Sequence, residues 1–343
     1  MPSDYGYINA RVKGIHSRLI PENRYLELLA LPSLSSFAEA LSGLGYGKEY
    51  QEALSRHTGL KAIEEALARN LQSTTRKILK MTEGKPKTLI SIFLKQWDLY
   101  NLKTIVRGKH KQRPEEEILA QLLPAGELGE LFLSELLRQP NLNAIADTLA
   151  SWGHPFALPL TQQVENYEKS KDLSRLEFNL DHYYFQWGVE KSRGWSYSER
   201  EVRKLIQKEI DILNFKTALK LREEDLEFTQ KVQYFLSGGR EIPYAVFISL
   251  LDVRTLTKAR YQLQGTFFSQ FLKRSSTSEL DEKISLLFNH FLCQLYRGDP
   301  LSVDVVIGFL YQKYNEIINL RLIARGKAFN IPAEKIQEEL RLF

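Results

Sequence analysis

The chain has 343 residues, 43% of them apolar, with sixteen Tyr and eighteen Phe but only twelve Pro and nineteen Gly. That composition excludes disorder and argues against a loop-rich or all-β chain, so an all-α globular protein large enough for two or three domains is expected. The net charge of +5, with a pI near 9.0, suits an anionic partner, although the excess is spread along the chain.

Met1-Pro-Ser-Asp-Tyr carries neither the basic nor the apolar stretch of an export signal, which predicts a chain that stays inside the cell. The first strongly patterned helix contains Asp98 and Arg107, with Gly108 placed as its stop, and Pro114 and Glu116 fit the first and third positions of the next helix. The basic run Arg107–Arg113 passes directly into Glu115–Glu117, so it reads as a solvated turn, and no nucleic acid is expected as a partner. Further on, Ser198 and Glu201 have capping-box spacing, and Val202, Leu205, Ile206, Ile210 and Leu213 follow at helical intervals, which predicts a helix from about Glu199 to Arg222. Ser237-Gly-Gly-Arg240 lacks the Gly-Lys-Ser/Thr of a phosphate loop and reads as a connection between helices. Cys293, in Phe291-Leu-Cys, reads as a small core hydrophobe, and as the sole cysteine it permits no internal disulfide. Asp299-Pro300 would supply an N-cap and first-turn proline for a helix running to Arg325, which Gly326 would end. No apolar run approaches the ~18–20 residues needed to cross a bilayer, so any membrane association is expected to be peripheral.

Three segments share one polar pattern. Asp98, Asn101, Lys103 and Arg107 recur as Asp211, Asn214, Lys216 and Lys220, and again as Glu316, Asn319, Arg321 and Arg325. The first and third copies continue in register through Arg-Gly-Lys and Pro-x-Glu-x-Ile, from Arg107 to Ile118 and from Arg325 to Ile336. A helical unit used three times, with the middle copy diverged, is the simplest reading, and it divides the chain at 1–118, 119–228 and 229–343. At about 100° per residue the acid and the Asn fall on or beside the apolar stripe, while the cations lie opposite. The acid and Asn are therefore expected to point into packed structure, the carboxylate needing hydrogen bonds or a cation from a neighbouring helix. The six cations are candidates for a partner-binding surface.

The six histidines have no ligand spacing, and neither G-x-S-x-G nor G-x-G-x-x-G occurs. No catalytic residue, cofactor or metal is expected, and the chain does not read as an enzyme.

Tyr7-Ile-Asn9-Ala-Arg11-Val12, Asp98-Leu-Tyr-Asn101-Leu-Lys103, the two later copies of that helix and the Arg325-Gly-Lys ending together resemble the C subunits of the archaeal and bacterial V/A-type rotary ATPases, which are related to the d subunit of the eukaryotic vacuolar ATPase. The departure is Leu221-Arg222, which replaces Gly-Lys in the middle copy. The resemblance implies three pseudo-threefold-related helical domains forming a funnel, with no catalytic site. It further implies one copy per complex at the cytoplasmic face of the membrane, as a socket between the proteolipid rotor ring and the D and F subunits of the central stalk. Such a part would pass torque between ATP chemistry and the movement of H+ or Na+. A helical scaffold for other partners is the alternative.

Overall fold

The computed structural model describes residues 5–252, 256–271 and 277–342, and every regular element among them is helical. The helices are α1 (Tyr5–His16), α2 (Glu22–Ala30), α3 (Leu34–Leu41), α4 (Gly47–Leu54), α5 (Gly59–Lys80), α6 (Gly84–His110), α7 (Glu115–Leu119), α8 (Glu130–Arg138), α9 (Leu142–Ser151), α10 (Ala157–Ser170), α11 (Leu173–Lys191), α12 (Tyr197–Glu223), α13 (Phe228–Lys231), α14 (Tyr244–Leu251), α15 (Leu256–Gln262), α16 (Thr277–Gln294), α17 (Asp304–Ala328) and α18 (Ala333–Glu338). None of the described helices is long and apolar enough to cross a membrane. The all-α class expected from composition is what the chain adopts.

The chain divides into two units, one made of Met1–Thr161 with His290–Phe343 and the other of Gln162–Asn289. In the first, α17 packs against α1, α2, α3, α5, α6 and α18. Such a helix cannot keep a one-sided stripe, and Val305, Ile307, Phe309, Ile317, Leu320 and Ile323 are buried around it. In the second, α12 packs on α11 and α14. Its Phe215 meets Phe268 and Phe271 in a core closed by Phe247 and Ile284.

Several boundaries differ from the sequence expectation, each for a local reason. The helix of the middle copy starts at Tyr197 because Ser196, not Ser198, caps it and exchanges bonds with Glu199. Asp299 and Pro300 lie outside α17, where the Asp299 side chain accepts the N–H of Leu301 in a tight turn, and the helix begins at Asp304. Pro114 and Pro332 sit one residue before α7 and α18. Gly108 and Gly326 do not end their helices; both are buried inside them, and a Cβ at either would overlap Ile118 or Ile336. The stop comes four residues later, where Gln112 (φ 52°) and Asn330 (φ 54°) turn left-handed. There the N–H of Arg113 returns to the Gly108 carbonyl at 2.9 Å, and that of Ile331 to the Gly326 carbonyl at 2.8 Å, which is the Schellman closure. The shared spacing of Arg-Gly-Lys and Ile in the two copies thus records a close helix crossing.

Cys293 is buried with the Nδ2 of Asn315 3.1 Å from its sulfur, and burial pushes its thiol up to about 12. It behaves as the core residue its neighbours suggested.

Candidate functional site

The Asn of each copy makes the same pair of bonds. Asn101 donates to the carbonyl of Leu123 at 2.6 Å and accepts its N–H at 2.8 Å. Asn214 does so with Leu236 at 2.8 and 2.9 Å, and Asn319 with Arg341 at 3.0 and 2.8 Å. In all three the receiving residue lies 22 positions downstream. A carboxamide presents one donor and one acceptor side by side, so it satisfies both polar groups of one peptide residue and fastens the loop to the long helix.

The acid, one turn earlier, takes the amides that follow. Asp98 accepts the N–H groups of Glu127 and Leu128, at 3.2 and 2.9 Å. Asp211 accepts those of Arg240, Glu241 and Ile242, at 3.0, 2.8 and 2.8 Å. Burial raises the Asp211 pKa and these three amides pull it back. The end of the Ser237–Arg240 connection and the two residues after it, Arg240 to Ile242, therefore form an amide cradle, and its occupant is the chain's own carboxylate. Gly126 and Gly239 each lie against the acid so closely that a Cβ would overlap Asp98 Oδ1 or Asp211 Oδ1.

Glu316 is satisfied differently. It accepts the Ile20 N–H at 2.6 Å, the hydroxyl of Tyr46, and Lys313 Nζ at 2.6 Å. Ile20 and Tyr46 belong to the amino-terminal segment, and that segment is itself a copy. Residues 22–46 match 130–154 at Glu22/Glu130, Glu27/Glu135, Leu28/Leu136, Leu29/Leu137, Pro32/Pro140, Leu34/Leu142, Ala38/Ala146, Leu41/Leu149 and Gly45/Gly153. Ser33 and Asn141, in matching places, cap α3 and α9.

A lysine three residues before each acid completes the pattern, outside the four positions that the sequence picks out. Lys95 meets Glu127 at 2.5 Å and His154 Nε2 at 3.3 Å. Lys208 meets Glu241 at 2.8 Å and lies 4.5 Å from the centroid of the Phe267 ring. Lys313 meets the Tyr46 hydroxyl at 2.9 Å. His154, Tyr46 and Phe267 each follow within two residues of a left-handed glycine, Gly153, Gly45 or Gly265. In the first and third copies the expected cation thus comes from the acid's own helix, Lys95 at 3.7 Å from Asp98 and Lys313 at 2.6 Å from Glu316, and the expected hydrogen bonds come from backbone amides and a tyrosine. Lys-x-x-Asp/Glu-x-x-Asn is legible as a repeat at Lys95, Lys208 and Lys313.

The six candidate cations stand in different surroundings. Lys103 is half-buried and Arg107 exposed. Lys216 and Lys220 share Asp281, at 3.1 and 3.8 Å. Arg325 pairs with Glu64 at 2.5 Å. Arg321 lines a cleft of about 380 Å³ with Leu119, Leu122 and Leu133, its Nη2 3.4 Å from the Leu122 carbonyl. Desolvation there lowers its pKa, opposed by the charge of Glu64.

Donors saturate the three buried acids, so their chemistry is fastening. This defines an all-α repeat protein whose buried charges join long helices to the segments that cover them. Within that class the chain belongs to the ATP synthase (C/AC39) subunit family, whose model matches residues 8–339. It is 28% identical to the C subunit of the V-type ATP synthase of Deinococcus radiodurans, over 99% of this chain and 92% of the relative. It is also 28% identical to the C subunit of the A-type ATP synthase of Methanococcoides burtonii, over 98% and 94%, and 27% identical to that of Halobacterium salinarum, over 99% and 98%.

Proposed function

We propose that this chain is the non-catalytic rotor adaptor of a V/A-type ATPase or ATP synthase, a socket that joins the central stalk, made of the D and F subunits, to the membrane proteolipid ring. The observation that carries this reading is the threefold use of one buried fastening in a chain of the C/AC39 family. A part that transmits torque must resist shear, and tying each long helix to its loop through groups shielded from water stiffens the joints where packed helices would otherwise slide. Three units, at 1–118, 119–228 and 229–343, closing as a funnel around the stalk end, fit the triple motif, with the third drawing Ile20 and Tyr46 from the first. One copy would serve each complex, peripheral to the membrane on its cytoplasmic face. Lys103, Arg107, Lys216, Lys220, Arg321 and Arg325 would aid encounter with an acidic stalk end.

The test is a pull-down of the purified chain against the detergent-solubilised ring and, separately, against the stalk pair. Binding to both, with a ternary complex on mixing, is expected. Binding to neither overturns the adaptor and leaves a helical scaffold for other partners. Charge reversal of Lys103 with Arg107 should weaken stalk binding and flatten its salt dependence; unchanged affinity would remove those two from the interface.

A further inference from the structure

The first unit carries a second concavity, unrelated to the clamps and to the adaptor reading. It has a volume of about 320 Å³ and lies between α4 and α5. Lys48, Arg76, Lys77 and Lys80 line it, all exposed, and none has a carboxylate or other hydrogen-bond acceptor among the described residues. The acids of the same hollow are already engaged, Glu49 by Asn70 at 3.2 Å and Glu52 by Arg69 at 3.8 Å. These four cations with Arg69 stand against two acids, Glu49 and Glu52, so five positive and two negative charges leave the hollow a net +3, and the four have no carboxylate in contact among the described residues. Two of them, Lys77 and Lys80, sit in the last turn of α5, where the helix dipole favours them, but this does nothing for Lys48 on the neighbouring helix.

A second observation points the same way. Gln72, on the wall of the hollow, has an amide Nε2 that is shielded from solvent and finds no acceptor among the described residues. A buried amide left unpaired is costly, and an oxygen anion reached by a small shift of the Gln72 side chain toward the hollow would remove that cost. Gly129 makes room here: a Cβ would overlap Gln72 Nε2 and crowd the guanidinium of Arg76.

We infer that the hollow between α4 and α5 binds a compact polyphosphate, two or three linked phosphate groups held by Lys48, Arg76, Lys77 and Lys80. Arg76 supplies a planar fork for bidentate contact with phosphate oxygens, and the lysines supply mobile point charges around it. The concavity favours a compact ligand over a flat bilayer surface. No aromatic side chain among the described residues lines it to stack a nucleobase, so recognition rests on the phosphates themselves, whether free or as the tail of a nucleotide.

The experiment is isothermal titration of the full chain with inorganic tripolyphosphate, ATP, AMP and a tri-glutamate peptide, at two salt concentrations. Tripolyphosphate should bind with one-to-one stoichiometry, weaken as salt rises, and lose at least about tenfold in affinity in a Lys77→Gln, Lys80→Gln double variant. The exposed control Lys111→Gln should bind as the parent does. ATP binding like tripolyphosphate would identify a nucleotide tail as an acceptable source, and ATP failing to bind would restrict the site to the free anion; AMP should bind weakly in either case. Absence of binding at millimolar tripolyphosphate, affinity unchanged in the double variant, or equal binding of tri-glutamate would overturn the inference, the last in favour of an acidic protein surface. Both substituted lysines are exposed, so the variant is expected to fold, and an unchanged circular dichroism melt verifies this.

Discussion

The first and third clamps set a lysine, a carboxylate and an asparagine at the same spacing on the long helix and reach their partners by opposite routes. Asp98 is satisfied by amides 29 and 30 residues downstream, and Lys95 has a second acid in Glu127. Glu316 reaches back 296 residues to Ile20 and 270 to Tyr46, and it is the one carboxylate within ion-pair distance of Lys313 among the described residues. What repeats is the set of demands that the helix makes on whatever segment covers it, and two different stretches of chain meet those demands. The likeness between residues 22–46 and 130–154 follows from this, because both must present a left-handed glycine and a polar ring to a buried lysine.

The sharpest break in the comparison is removal of the acid's charge. Glu316→Gln should strand Lys313 and destabilise the protein by about 3–5 kcal/mol, whereas Asp98→Asn, which leaves Lys95 with Glu127, should cost about 2 kcal/mol. Denaturant midpoints would give the order, and limited proteolysis should release the segment before Tyr46 only in the Glu316 variant. Equal losses would mean that the two clamps do not differ in their reserve of partners.

The Asn tests the same pair one turn later. Asn101→Ala orphans both polar groups of buried Leu123 and should cost about 3 kcal/mol, while Asn319→Ala exposes those of half-buried Arg341 to water and should cost about 1 kcal/mol. Thermal unfolding of the two variants side by side decides this. Gly126→Ala drives a methyl into Asp98 and should lose about 2 kcal/mol, against a gain of about 0.5–1 kcal/mol for Gly14→Ala, where the space is open in α1.

The smallest effect concerns His16, which stacks on Tyr296 at 3.8 Å and bonds Gln312 Oε1 at 2.7 Å. Burial lowers its pKa below the ordinary 6.5, with the Gln312 bond and the Glu316 charge pulling the other way. The unfolded chain therefore takes up the proton first. This contribution is fully present above pH 6.5 and is lost as pH falls below it toward the depressed folded value. His16→Gln should flatten the stability profile in that window, and an unaltered slope would exclude His16 as its source.

Much of this is legible in the residues. The acid and Asn have to be buried because they share a face with Leu102, Ile105, Phe215 and Ile323, and they are. The all-α class follows from composition and helical spacing. Gly108 and Gly326 are harder to read, because each has the position of a C-cap, and only the distance to Ile118 and Ile336 shows that they serve a crossing. Lys95, Lys208 and Lys313 fall outside any pattern begun at the acid, although their spacing is regular. The donors to Glu316 cannot be found by counting along the chain, since Ile20 and Tyr46 belong to no downstream loop.

That long reach has a consequence for synthesis. A ribosome adding about 5–20 residues per second delivers the amides that satisfy Asp98 within about 2–6 seconds of the acid itself. Ile20 and Tyr46 must wait until Glu316 emerges, about 15–60 seconds after Ile20, so α2 and α3 leave the exit tunnel followed by a Tyr46 whose hydroxyl has not yet met its carboxylate. A nascent chain stalled after the second clamp should therefore hold residues 84–154 in protease-resistant form while residues 5–46 are still open to cleavage and to chaperones.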